Sequence, residues 1–463
     1  MRTLWILIFT YILTPLLCQS PEKDALFIKS IHDHILTEGA CYDWLTHLSE
    51  EIGGRLAGSP GSEEAIYYTK DVLSAYSDTT YLQKCVVPYW VRGEEEKVIL
   101  IDPLTSDSID IGGLALGNSI GTGTQGLRGS IIEVTSLDQV RELGPENLAG
   151  QVVFYNRPMD QTQIRTFFAY GGAVDQRVNG PSVAAAQGAS AVLVRSMGTS
   201  IDDYPHTGVT RYSEEHPEIP AIAISTKDAE LLSDILTQQN MDVYIRSTSK
   251  MMEPKDSYNV IAEIKGSTYP DEIILVGGHL DSWDVGGGAH DDGAGCVHSM
   301  QVFHTLQALG YQPKRTLRCV MFMNEENGLG GGLAYADASN ERDEWHMAAI
   351  ESDAGGFTPR GFSFDATDET FAGFYRQVIE WEELLEPYYL SFVKGGSGAD
   401  ISPLKSQNGL LIGFRPDSQR YFDFHHTAAD RIDAVNEREL KLGAAAMTSL
   451  VYLLDHYGLE KGR

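Results

Sequence analysis

The sequence predicts an α/β fold, with a mainly parallel central sheet flanked by helices and a β-rich unit inserted into it. In the second half, almost wholly apolar runs alternate with helix-like segments, which is typical of a parallel sheet covered on both faces. Between residues 113 and 249, short β-like runs separated by glycine-rich turns indicate an inserted domain. The length of 463 residues agrees with two domains, because a single core rarely grows so large. The main domain would combine residues 21–112 and 250–463.

Local patterns predict the individual elements. The glycine-rich loop at 52–61 precedes a helix, and the run 293–309 places apolar side chains on one helical face. Apolar runs between turn residues predict the strands. The predicted helices are 25–50, 63–74, 182–187, 293–309 and 435–457. The predicted strands are 81–90, 97–102, 130–134, 151–155, 191–194, 221–224, 272–278, 316–323, 347–351 and 410–414.

The charge balance narrows the classes of partner. The chain has 65 acidic and 35 basic residues and a formal net charge of −30. Such a field repels phosphate backbones and anionic membrane surfaces, so we expect no nucleic acid partner.

The first 20 residues have the pattern of a secretory signal peptide. Arg2 precedes an apolar run, Leu4–Cys18, and the chain turns polar before Pro21. This pattern predicts a secreted or periplasmic protein, and no other stretch reaches membrane-spanning length. A lipid anchor at Cys18 is disfavoured because the preceding Leu17 is bulky.

Four cysteines remain after the predicted signal peptide, and they form no tight pairing pattern. Their spacing does not indicate a disulfide framework. Cys319 lies in an apolar strand and Cys296 in a helix-like segment, so we expect buried free thiols at both positions.

Metal-ligand residue types follow the predicted strands of the second half. Parallel strands bring their carboxyl ends to one sheet edge, where such folds bind ligands. Two-metal hydrolysis needs a shared carboxylate, an imidazole and a further carboxylate for each metal, and a carboxylate base. The residues that meet this need are His279, Asp281, Asp291, Asp292, Glu325, Glu326, Asp353, His425 and His426.

These strings resemble the motifs of the co-catalytic zinc aminopeptidase family, most closely its carboxypeptidase Q branch. The strings concerned are 277–296, 323–331, 351–355 and 424–430. Residues 113–249 resemble the protease-associated domain inserted in that family, notably at 177–189. The resemblance implies a zinc exopeptidase fold of the phosphorylase/hydrolase-like type and two zinc ions per chain. It also implies short peptide substrates with a free amino terminus, and a homodimer.

The family pattern, carried over position by position, implies the metal ligands. His279 and Asp353 would hold one metal, and Glu326 and His426 the other. Asp291 would bridge the two, and family spacing favours it over the adjacent Asp292. His426 is favoured over His425 because a hydroxyl residue, Thr427, follows it in the pattern.

The same pattern implies the remaining site residues. Glu325 would be the general base that takes a proton from the attacking water. Asp281 would orient the His279 imidazole. His425 and Gly398, the latter in a glycine-rich loop, would contact substrate.

Two other function classes stay open on the sequence. Some relatives of this fold are receptors whose metal site has decayed, but every expected ligand is present here. A glutaminyl cyclase with one zinc would lack the complete ligand set. The choice between a dipeptidase and an aminopeptidase for longer peptides also stays open.

Overall fold

The structure is a computed structural model that describes residues 21–460. The predicted signal peptide at 1–20 and the anchor position Cys18 lie outside the described residues. Within 21–460, no helix is long and apolar enough to cross a membrane. All four cysteines of this part are buried and free, which confirms the absence of a disulfide framework among them.

Fourteen α-helices and sixteen strands make up the described chain. The helices are α1 Pro21–Glu38, α2 Cys41–Thr46, α3 Pro60–Ser74, α4 Leu137–Leu148, α5 Thr166–Gly171, α6 Asp175–Val178, α7 Gly180–Ala186, α8 Thr226–Leu236, α9 Ala294–Ala308, α10 Gly330–Glu341, α11 Asp368–Val378, α12 Glu382–Leu385, α13 Tyr421–Phe424 and α14 Glu437–Tyr457. The strands are β1 Thr79–Val91, β2 Glu96–Ile101, β3 Ser108–Asp110, β4 Leu114–Ala115, β5 Leu127–Val134, β6 Val152–Tyr155, β7 Ala191–Arg195, β8 Ala221–Ile224, β9 Asp242–Ser247, β10 Lys250–Ile264, β11 Tyr269–His279, β12 Arg315–Phe322, β13 Trp345–Glu351, β14 Pro359–Asp365, β15 Ser391–Lys394 and β16 Leu410–Pro416.

The first sheet has a parallel centre and mixed edges. Its order is β1-β10-β12-β11-β13-β16-β14-β15. The four central strands β12, β11, β13 and β16 are parallel, whereas β10 and β14 run antiparallel to their inner neighbours. The central strands are almost wholly buried because helices cover the sheet. The predicted α/β class is therefore confirmed, and the carboxyl ends of four parallel strands meet at one edge.

The second sheet has eight strands in the order β3-β2-β9-β5-β6-β7-β8-β4. It begins earlier in the chain than the predicted insert at 113–249. The sequence pattern predicts that residues 97–102 belong to the main domain, whereas β2 pairs with β9 and β3 pairs with β2. Pairing partners far away in the chain decide sheet membership, so this boundary was not visible in the local pattern of β2.

The second sheet packs against the site edge of the first. Trp283, in the loop after β11, belongs to the same apolar cluster as Trp90 and several second-sheet residues. The two indole rings lie 6.3 Å apart, edge to face. Arg92 pairs with Asp284 at 2.6 Å. The loop that joins His279 to the segment of Asp291 thus contacts the second-sheet unit.

The buried carboxylate of Asp455 joins the last helix, α14, to the first sheet by hydrogen bonds. Asp455 on α14 accepts hydrogen bonds from the main-chain amides of Lys314 and Arg315 at 2.9 and 2.7 Å. It also accepts one from the Tyr311 hydroxyl at 2.6 Å. These bonds fix the start of β12, the strand that leads to Glu325.

We expect Asp455→Ala to lower the free energy of unfolding by about 3 kcal/mol or more, because three buried donors lose their acceptor. Urea unfolding followed by circular dichroism measures this. Asp433→Ala, at an exposed position, should change stability by less than about 0.5 kcal/mol. Equal stabilities of the two variants would contradict the proposed role of Asp455.

Candidate metal centre

His279 is the last residue of β11, and its ring points into the sheet edge. Its Nδ1 lies 2.9 Å from the main-chain carbonyl oxygen of Asp281, which can only accept, so Nδ1 carries the proton. Its Nε2 then faces two carboxylates, 3.2 Å from Asp291 Oδ1 and 3.5 Å from Asp353 Oδ1. The ring is buried.

His426 repeats this arrangement from the other side. Its Nδ1 lies 3.2 Å from the carbonyl oxygen of Thr207, a residue between β7 and β8 of the second sheet. Its Nε2 lies 3.1 Å from Glu326 Oε2 and 3.2 Å from Asp291 Oδ2. Burial lowers the pKa of His426, but the Glu326 and Asp291 carboxylates outweigh burial and raise it to about 10.

Asp291 therefore lies between the two imidazoles, with one oxygen toward each. Its Oδ2 and the Oε1 of Glu326 are buried and accept no well-aligned hydrogen bond within the described part of the chain. Buried carboxylate oxygens are normally paired, so these two are placed to meet some other positive group.

The Asp292 carboxylate has different partners from the Asp291 carboxylate. Its carboxylate accepts hydrogen bonds from the amides of His279 and Gly295, at 3.1 and 3.0 Å. A Cβ at Gly278 would lie 2.4 Å from Asp292 Oδ2, so this close approach requires glycine. The peptide bond between Asp291 and Asp292 is cis. Of the two aspartates, Asp291 is the one that faces both imidazoles.

Asp281 makes contacts other than those predicted. Its carboxylate Oδ1 lies 4.0 Å from His279 Nδ1, so the main-chain carbonyl orients this ring instead. The carboxylate accepts three amides, those of Asn324 at 2.6 Å, Glu325 at 3.1 Å and Glu326 at 3.3 Å. Asp281 thus holds the segment that presents Glu325 and Glu326.

Glu325 lies in an acidic environment. Burial raises the pKa of its carboxyl well above the usual range, and the negative charges of Asp353, Glu326 and Asp291 add to this, while His279 opposes them. Carboxyls with perturbed pKa values that line a cleft are candidates for proton transfer.

A cleft of about 550 Å³ opens over these groups. Asp291, Glu325, Glu326, Asp353 and the two adjacent histidines form one wall. The opposite wall comes from the predicted insert. Its residues there are Asn118, Phe167, Tyr170, Arg177, Val209 and Arg211.

The predicted substrate residues fall in two places. His425 lines this cleft, stacks on His426 with ring centres 3.5 Å apart, and has its Nε2 3.6 Å from Asp291 Oδ2. Gly398 lines a neighbouring cavity that shares Asp353 with the cleft. Its φ is +138°, and a Cβ there would lie 2.2 Å from Glu351 Cδ.

Comparison with known proteins identifies the family. Residues 259–451 match Peptidase family M28. Carboxypeptidase Q of Bos taurus is 34% identical over 418 residues, covering 89% of this chain and 84% of that protein. The chain belongs to peptidase family M28. Carboxypeptidase Q of Xenopus laevis is also 34% identical, over 92% of this chain and 88% of that protein.

Solved structures agree with this assignment. The Peptidase M28 precursor of Shewanella amazonensis superposes with a TM-score of 0.89 at 31% identity, covering 96% of this chain and 99% of that chain. A zinc aminopeptidase of Bacillus subtilis has a TM-score of 0.64 at 19% identity, over 91% and 96%, which shows a shared fold. The family resemblance found in the sequence is confirmed, and this M28 peptidase is a metallo-exopeptidase.

The predicted ligands of the M28 peptidase fit a divalent cation. Both imidazoles turn Nε2 inward and place Nδ1 beside a main-chain carbonyl oxygen, which is how metal-binding histidines are oriented. Groups of ligand atoms lying within 4.8 Å of one another include His279, Asp291 and Glu326. Imidazole nitrogens mixed with carboxylate oxygens suit zinc.

Two supporting residues were missed by sequence reasoning. Arg55 is fully buried and donates to the carbonyls of Leu280, Gly287 and Gly288 at 2.6, 2.7 and 2.9 Å, so it fixes the loop between His279 and Asp291. This loop is part of the motif, but nothing in the sequence links it to position 55.

The second missed residue is Asp430. Its carboxylate accepts the amides of His290 and Asp291 at 2.7 and 3.0 Å. It therefore sets the main-chain position from which the Asp291 carboxylate reaches both imidazoles.

We expect Asp430→Asn to weaken zinc affinity about 10- to 100-fold, the range found when groups that orient metal ligands are altered. The amide keeps one acceptor and loses the other, so one main-chain amide is left unpaired. Competition with a zinc chelator measures the affinity, and Asp433→Asn is the matched exposed control. Unchanged affinity in Asp430→Asn would contradict the positioning role.

Proposed function

We propose that this M28 peptidase is a secreted, dinuclear zinc exopeptidase that hydrolyses short peptides with a free amino terminus. The position of Asp291 supports two ions most directly, because each of its oxygens faces a different imidazole. Each imidazole also faces one further carboxylate, Asp353 beside His279 and Glu326 beside His426. Secretion rests on the pattern of residues 1–20.

Zinc at this place would polarise the scissile carbonyl and lower the pKa of the attacking water. Glu325 takes the proton of that water and delivers it to the leaving amine, and its place in the lining of the cleft beside Asp291 and Glu326 suits this role. Asp281 keeps Glu325 in position through the main-chain amide of that residue.

His425 is placed to contact the substrate. Burial lowers its pKa well below the usual value. A neutral imidazole can donate a hydrogen bond to the oxygen of the scissile carbonyl as negative charge develops there.

The opposite wall of the cleft supports the preference for short peptides. We assign the second sheet to an inserted protease-associated domain that covers the site. Tyr170 and Arg177 of this unit line the cleft, and Tyr170 packs edge to face on His425 with ring centres 5.2 Å apart. A long polypeptide would have to pass this wall, whereas a dipeptide fits in about 550 Å³.

The two competing functions make different demands on the site. A receptor with a decayed metal site would lack part of the proposed ligand set, whereas all five proposed ligands are present in this chain and lie close together. A one-zinc glutaminyl cyclase would not need an aspartate shared between two imidazoles.

We expect Glu325→Gln to keep its zinc and to lose at least about three decades of kcat, in keeping with the size of general-base contributions. Dipeptide hydrolysis followed by mass spectrometry, together with zinc analysis, measures both effects. Glu341→Gln, at an exposed position, is the matched control. Near-normal turnover in Glu325→Gln would refute the role of general base.

We expect the purified protein to bind two zinc ions per chain and Asp291→Ala to retain fewer than one, because the lost carboxylate serves both positions. Elemental analysis after dialysis against dilute zinc gives the count, with Asp433→Ala as control. One ion in the unmodified protein, or two in Asp291→Ala, would contradict the shared-ligand arrangement.

A further inference from the structure

A second cavity of about 470 Å³ adjoins the cleft at Asp353. The glycine-rich loop 395–398 and Gly413 form part of its lining, so few side chains fill it. Three cationic side chains also line it: Arg165 from the segment before α5, Lys394 at the end of β15 and Arg415 on β16. A cavity of this size holds one amino acid side chain with its main chain.

These three cations have no acidic partner within 4 Å among the described residues, whereas two other basic residues of the same domain are paired. Arg360 on β14 contacts Asp417 at 2.8 Å, and Lys405 contacts Asp365 at 2.8 Å. Arg165 instead lies over the ring of Phe168, and Lys394 over the ring of Phe371.

The positive charges of Arg165 and Arg415 also repel each other. Burial lowers the pKa of Arg415, and the positive charge of Arg165 lowers it further. The chain has nearly twice as many acidic as basic residues, so unpaired cations around one cavity are not a consequence of composition. An anion inside the cavity would relieve this repulsion.

The carboxylates that border the cavity do not neutralise these cations. Asp353 faces His279 in the proposed metal centre. Glu351 is buried and accepts the amide of Ile401 at 2.9 Å. The positive charge therefore remains available to a ligand that enters beside the reacting groups.

We propose that this cavity is a substrate subsite that binds a carboxylate of the peptide, with Arg165 and Arg415 as its specificity-determining residues. The proposal rests on the proposed function, and it names peptides with a carboxylate in this position as the substrate class. The carboxylate could belong to an Asp or Glu side chain or to the carboxyl terminus, and the choice of peptides distinguishes the two.

Binding is measured by calorimetry on the zinc-loaded Glu325→Gln protein, so that no peptide is consumed. The pairs are Ala-Glu with Ala-Gln, Glu-Ala with Gln-Ala, and Ala-Ala with its carboxy-terminal amide. We expect the charged member of at least one pair to bind about tenfold or more tightly, since hydrogen bonds to charged groups are the stronger kind. The pair that shows the preference identifies the source of the carboxylate.

Adding Arg415→Gln or Arg165→Gln to the Glu325→Gln protein should remove most of this preference. The Kd of the neutral peptide should stay within about threefold of its value in Glu325→Gln alone. Arg165 is exposed, so its variant tests the cavity even if Arg415→Gln fails to fold. Arg360→Gln, on the neighbouring strand β14 but outside the cavity lining and already paired with Asp417, should leave the preference intact.

The inference is overturned if no pair shows a charge preference, or if the preference persists in both variants. Turnover by the unmodified protein is scored separately. Hydrolysis of Ala-Ala without any charge preference would refute the subsite alone, whereas a charge preference without hydrolysis would refute the proposed function alone.

Discussion

The site depends on the concentration of negative charge at one sheet edge. Asp291, Glu326, Asp353 and Glu325 lie close together in a largely buried place, and like charges so arranged repel strongly. The fold withstands this repulsion because main-chain amides and buried side chains hold the segments from outside. Asp281 holds 324–326 through three amides, and Arg55 holds the loop after β11 through three carbonyls.

The supporting bonds share one property. They involve the main chain of the loops that carry the proposed metal ligands. They therefore fix the main-chain position of each of these residues and leave the carboxylate oxygens and the inward imidazole nitrogens free. Asp430 does this for Asp291, and the Thr207 carbonyl fixes the ring of His426. Asp291 and Asp292 differ in the same way although they are adjacent. The Asp292 carboxylate accepts main-chain amides, whereas the Asp291 carboxylate faces the two imidazoles.

The sequence predicted the centre of the fold, and it placed His279, Asp291 and the other proposed ligands at one sheet edge, because strands and motifs both have strong local signals. Strand β12 is buried along its whole length and therefore reads as a continuous apolar run. Strand β10 was missed because the first half of Lys250–Ile264 is exposed and mainly polar, and it pairs with the edge strand β1. The contacts of Asp281, Arg55 and Asp430 could not be predicted, since each depends on a partner brought close only by the fold.

One contact ties the two units of the protein together at the site itself. The carbonyl that orients His426 belongs to the second-sheet unit, and the Thr207 amide donates in turn to the carbonyl of His426 at 3.0 Å. A hinge motion that separated the units here would release this ring. The second-sheet unit is therefore a structural part of this sheet edge and not a separate cover, because the ring position of His426 depends on it.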